Sequence, residues 1–157
     1  YYQRAFGPAA ETMTGYWELI EQAATQIGFE GKDKREMWNE AFFKDAYARL
    51  DQATQEVAAE SEVYTKRVDF VRAGLDYLRV MREMEPLIDR LKKAGGSAPE
   101  ARIAATVQWL AAWEKLEQIK KEYPFAVSTA YVQPGNRYLR EYNPDFLKPE
   151  DVSDGLE

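Results

Sequence analysis

The chain contains no His and no Cys, so any acid–base work would fall to carboxylates. Three pairs of glutamates lie close in sequence: Glu18 with Glu21, Glu83 with Glu85, and Glu114 with Glu117. Glycoside hydrolysis needs two carboxyl groups facing each other across a sugar, about 5–9 Å apart, in a cleft. Each pair here sits among Lys, Arg and Gln, and residues two apart, such as Glu83 and Glu85, point in different directions on a helix. That pattern describes a solvated face. Trp109 and Trp113, four apart, share one face of a helix, and flat rings can hold sugars. Indoles also fill cores and interdomain seams, where such rings bury ~150–250 Å² each. Arg67, Arg72, Arg79 and Arg82 could clamp a uronate or phosphate bidentately. They could equally pair within their own helix, as Asp69 with Arg72 or Asp76 with Arg79 would. The sequence holds no G-x-G-x-x-G, no P-loop and no G-x-S-x-G. Without His or Cys, a thiolate nucleophile, an imidazole base, a Glu-x-x-His di-iron site and an ordinary zinc site are excluded. No catalytic residue, metal ligand or cofactor is expected.

The elements that would position these groups are helices. The 157 residues suit one compact domain, and 45% hydrophobic against 31% charged residues is a core-forming mixture. With 27 acidic and 21 basic residues the net charge is −6, which repels phosphate backbones, so nucleic acid is not an expected partner. No stretch approaches the ~18 apolar residues of a membrane span, and no membrane partner is expected. Gly7-Pro8 punctuates the start of a helix, and Met13, Tyr16, Trp17, Ile20, Ala24 and Ile27 recur along it at steps of three and four. Gly28 is its expected stop. Asp33 and Glu36 fit a capping box. Met37, Trp38, Ala41 and Phe42, then Ala46, Leu50, Ala53 and Val57, follow as one helix or as two pieces jointed near Phe43-Lys44. Ser61 is the expected cap of a third helix with a long stripe, Tyr64 to Leu91, which Pro86 should kink. Gly95-Gly96 ends it. Ser97 with Glu100 opens a fourth helix, with Ile103, Val107, Leu110, Trp113, Leu116 and Ile119 on its apolar face.

After Pro124 the pattern changes to Pro- and Gly-punctuated sequence with scattered aromatics. The expectation is an all-α fold: an antiparallel bundle of about four main helices over residues 1–124, and an irregular aromatic-rich tail over 125–157. So many rings suit a segment packed on the bundle or on a partner, since linkers are polar. The opening Tyr1-Tyr2-Gln3-Arg4 reads as the interior of a longer chain, and a domain excised from a larger protein is expected.

Two stretches carry a resemblance. Tyr1 to Ala23, YYQRAFGPAAETMTGYWELIEQA, and Lys66 to Leu78, KRVDFVRAGLDYL, resemble the helical region of large bacterial glycoside-hydrolase-like proteins that hold a domain of unknown function. In layout these are similar to α-glucuronidases and β-hexosaminidases, with a barrel first and a helical segment after it. The matching positions are Phe6, Gly7, Pro8, Ala9 and Ala10, then Arg67, Val68, Phe70, Gly74, Leu75 and Tyr77; the likeness extends over roughly residues 1–93.

The resemblance implies a non-catalytic accessory domain, secreted or periplasmic, whose partner is an upstream barrel bearing the catalytic carboxylates on its strand ends. Carbohydrate would be met only through that parent. A homo-oligomer or an independent helical interaction module is the alternative, with a carbohydrate-binding helical domain as a third reading. The rings expected at an interface are Tyr2, Phe6, Trp109, Trp113, Phe125, Tyr131, Tyr138 and Tyr142.

Overall fold

The computed structural model describes residues 1–25, 38–94 and 99–126, leaving aside the side chains at 88–102 and 105. The fold is all-α. Among the described residues the elements are α1 (Tyr2–Phe6), a 3-10 turn (Gly7–Ala9), α2 (Ala10–Thr25), α3 (Glu40–Val57), α4 (Glu62–Ala94) and α5 (Pro99–Glu122), with no strand.

Local chemistry accounts for the helix ends. α1 closes on Gly7, whose N–H donates to the Gln3 carbonyl while φ stands at 54° and ψ at −120°. Pro8 then occupies the first turn of the 3-10 segment, where its missing N–H has no helical partner to lose. The Asn39 side chain caps α3 by accepting the Phe42 N–H at 2.9 Å, a contribution of about 1 kcal/mol. α3 runs unbroken through Phe43-Lys44, so it is one helix without the joint that the sequence left open. The Ser61 hydroxyl accepts the Val63 N–H at 3.3 Å and opens α4. α4 continues across Pro86 to Ala94. The expected signals at Gly28, Asp33–Glu36, Gly95-Gly96 and Ser97 lie outside the described residues, as does the tail from residue 127.

The chain forms two compact units, Tyr1–Leu75 and Asp76–Glu157, whose border falls inside α4. α5 ends at Glu122, just before the change of sequence character at Pro124, and a turn over 124–126 follows it. In the first unit, Phe6, Met13 and Tyr16 are buried with Phe42, Phe43, Ala46, Leu50, Ala53 and Val57 of α3. Most of the α3 stripe expected from the sequence is therefore inside. Thr12 of α2 donates to Glu56 at 2.9 Å and Gln52 donates to the same oxygen at 2.8 Å, tying the helices at their polar margin. Gly15 lets the Arg49 guanidinium lie against α2, because a Cβ there would collide with its Nη1. Arg72 reaches across to Asp51 of α3 at 2.7 Å rather than to Asp69 on its own helix.

In the second unit, Tyr77, Val80, Met84 and Leu87 of α4 pack with Trp109, Ala112 and Leu116 of α5. Here the sequence stripe needs correction at Val107, which is 56% exposed. Leu116 is buried as expected and Leu110, Trp113 and Ile119 pack against the same core, while Thr106, Trp109 and Ala112 are buried beside them. Apolar and small residues surround much of α5, so its period does not single out one face.

Tyr77 supplies a pH handle on this unit. Burial, and then the charge of Glu117, push its phenol from 10.0 up to about 12. The folded state therefore holds the proton more tightly than the unfolded chain does. That preference is fully present below pH 10 and is lost as the pH rises from 10 towards 12. Urea midpoints measured across this window should fall more steeply for the native chain than for Tyr77→Phe; parallel curves would show that the phenol is not held in the core.

Candidate docking groove

The first unit carries an open groove of about 750 Å³ between α1, α2 and the start of α4. Its construction begins with spacing. Tyr2 and Phe6, four apart on α1, stack with ring centroids 6.3 Å apart and 25° between planes. Tyr1 meets Tyr2 edge-on at 5.5 Å. From α2 comes Trp17, itself edge-on to the buried Tyr16 at 5.3 Å. From α4 come Arg67, Phe70 and Val71, at the steps of three and four that share a helix face. Phe6 is buried in the floor, whereas Tyr1 is 92% and Phe70 42% exposed.

Arg67 joins the two sides. Its Nη1 donates to the Arg4 carbonyl at 3.0 Å and to the Ala5 carbonyl at 2.9 Å. These oxygens belong to the last turn of α1, whose carbonyls have no acceptor role inside so short a helix. A side chain of α4 therefore caps α1 and holds the tyrosines over the groove. Arg4 lines the same groove.

The glutamate pairs weighed for chemistry are dispersed. Glu83 pairs with Arg79 at 3.0 Å, Glu85 with Arg82, and Glu117 with Lys120 at 2.6 Å, while Glu18, Glu21 and Glu114 are exposed. None lines the groove. No cluster of Asp, Glu, His or Cys able to hold a metal occurs among the described residues, and none of their helices is long and apolar enough to cross a membrane.

Of the rings expected at an interface, Tyr2 and Phe6 line the groove. Trp109 is only 2% exposed and stacks on the half-buried Trp113, with centroids 5.5 Å apart and planes at 14°. Its ring is occupied by the core and presents no platform to a sugar. Phe125, in the turn after α5, is 87% exposed. Tyr131, Tyr138 and Tyr142 lie outside the described residues.

The sequence does not single out Tyr1, Arg4, Ala5, Trp17, Phe70 or Val71 as groove residues. It places Trp17 in a core stripe and offers Arg67 only as a clamp or an intrahelical partner. The signal that could have found the α4 wall is the Arg67–Phe70–Val71 spacing beside a tyrosine-rich first turn. No protein-family profile, no curated protein and no solved structure matches this chain.

Proposed function

We propose that this chain is a non-catalytic helical accessory domain that docks on a folded partner through the aromatic groove of its first unit. The observation that carries this reading is the groove itself. Rings from three segments, the start of α1, α2 and α4, converge on an open surface, and two of them are exposed, Tyr1 almost fully and Phe70 in part. Contiguous exposed apolar surface of this kind marks interaction sites. The resemblance to glycoside-hydrolase-like proteins supplies the partner, a barrel that holds the catalytic carboxylates. The dispersed and paired glutamates are consistent with chemistry residing elsewhere.

A photo-crosslinking residue, p-benzoylphenylalanine, placed at Phe70 in the native host tests the reading. The control site is Val107, also exposed but on the second unit. A discrete adduct from position 70 and not from 107, with partner peptides from a glycoside-hydrolase-like barrel, is the expected result. An adduct with a second copy of the chain would replace the accessory reading with a homo-oligomer, and an unrelated partner would replace it with an independent interaction module. No adduct at either position overturns docking altogether.

A further inference from the structure

We infer that the groove receives a protein segment carrying a carboxylate beside an apolar side chain, with the carboxylate on the free edge of Arg67 and next to Arg4. This rests on the docking reading above and specifies the chemistry of the partner.

The argument starts from the donors of Arg67. A guanidinium has five N–H donors in a fixed fork. The two on Nη1 are taken by the Arg4 and Ala5 carbonyls. Among the described residues Nε and Nη2 have no partner, and these form the side-on pair that grips a carboxylate through two parallel bonds. The cap on α1 thus fixes the guanidinium plane before any ligand arrives, which lowers the ordering cost of binding.

Charge points the same way. Neighbouring cations on α4 each hold a carboxylate: Lys66 with Glu62 at 2.8 Å, Arg72 with Asp51 at 2.7 Å, and Arg79 with Glu83 at 3.0 Å. Neither Arg4 nor Arg67 pairs with a carboxylate among the described residues, although the chain carries an excess of six acidic groups. Among the described residues, the two cations that line this groove therefore have no carboxylate partner. An incoming carboxylate relieves their repulsion and gains charge-assisted hydrogen bonds.

The remaining lining decides what accompanies that charge. Tyr2, Phe6, Trp17, Phe70 and Val71 offer rings and a methyl-bearing side chain. Among the described residues no Asp, Glu, Asn, Gln, Ser or Thr lines the groove. A sugar would find donors in the arginines, the tyrosines and Trp17 but no carboxylate or amide to accept its hydroxyls, whereas an aliphatic or aromatic side chain needs none. The occupant that fits is an acidic residue flanked by apolar ones.

The test uses the whole chain, isotopically labelled, and two blocked pentapeptides, Leu-Pro-Glu-Phe-Leu and its Gln counterpart. Titrations follow the Nε–H resonances of Arg4 and Arg67 and the indole N–H of Trp17. The Glu peptide should move all three together and bind about tenfold more tightly than the Gln peptide, a preference that high salt removes. Arg67→Lys keeps the charge but loses the fork, and should reduce the preference to about twofold. Arg4→Gln leaves the cap on α1 untouched and should also diminish it, so the inference does not depend on the fold of an Arg67 variant.

Equal binding of the two peptides overturns the carboxylate seat, while a Phe70 cross-link would leave docking standing. Failure of both peptides to bind overturns it as well. Inorganic phosphate that moves the arginine signals as far as the Glu peptide does, with Trp17 unmoved, reduces the site to a general anion seat and overturns the assignment. A cello-oligosaccharide that displaces the Glu peptide overturns it in favour of carbohydrate. Loss of the cross-link with the Glu preference intact strikes the docking reading alone.

Discussion

Replacing Trp109 with Ala is expected to destabilise the chain by about 3–5 kcal/mol, the range for deleting a large buried ring. Trp109 is 2% exposed and belongs to the core formed with Tyr77, Val80, Met84, Leu87, Ala112 and Leu116. Truncation removes both the apolar burial and the stacking on Trp113, and it opens a cavity that the surrounding helices fill only in part. Trp109→Phe should cost far less. The indole Nε1 finds no hydrogen-bond partner among the described residues, and a buried donor left unmade costs about 1–3 kcal/mol. Phe loses part of the ring but also that liability, so the two effects offset. Urea unfolding followed by far-UV circular dichroism separates the variants. A loss below about 0.5 kcal/mol for Trp109→Ala, as at ordinary surface sites, would show that the ring faces outwards and that the sugar-platform reading of Trp109 and Trp113 has to be reopened.

How much of this could be read from the residues depends on how polar the opposite face of each helix is. α3 has Lys44, Asp45, Asp51 and Gln52 on its wet side, so Ala46, Leu50, Ala53 and Val57 stand out at steps of three and four and are all buried. α5 lacks that contrast. Its alanines and aliphatics allow a broad stripe: Leu116 is buried and Leu110, Trp113 and Ile119 pack on the core as expected, but Val107 faces out and Thr106 and Trp109 turn in. Charge partners show a second limit. Spacing proposes Asp69 for Arg72, but the partner is Asp51 of α3, twenty-one residues away. Only packing of the helices brings that carboxylate within reach.

The groove illustrates the same limit at a larger scale. Each wall is written locally: Tyr2 with Phe6 on α1, and Arg67 with Phe70 and Val71 on α4. Nothing in either segment says that they face each other. Their meeting depends on the direction in which α1 leaves α2, and that direction is set by one residue, Gly7, between them. The phrase Phe6-Gly7-Pro8 could be read as punctuation, but the sequence could not specify the angle that it imposes.

Gly7→Ala is therefore expected to damage both stability and groove. At φ 54° and ψ −120° the residue occupies backbone space that L side chains avoid, a strain of about 1–3 kcal/mol. A Cβ would also stand 2.6 Å from Cε2 and 2.8 Å from Cζ of the Tyr64 ring, and forcing the ring aside adds about 1–3 kcal/mol. The expected total is about 2–6 kcal/mol. A double-mutant cycle with Tyr64→Ala divides it, because removing the ring should recover the steric part and leave the backbone strain, with a coupling of about 1 kcal/mol or more. Short of unfolding, α1 can swing away from α4, which breaks the bonds from Arg67 to the Arg4 and Ala5 carbonyls and releases Tyr1 and Tyr2 from the groove. Hydrogen exchange should then accelerate at the amides of residues 4–7 while those of Leu50 and Ala53 in α3 stay protected. A Gly7→Ala chain with native stability and unchanged exchange over α1 would show that the turn does not aim the tyrosines, and that the groove is held by Arg67 alone.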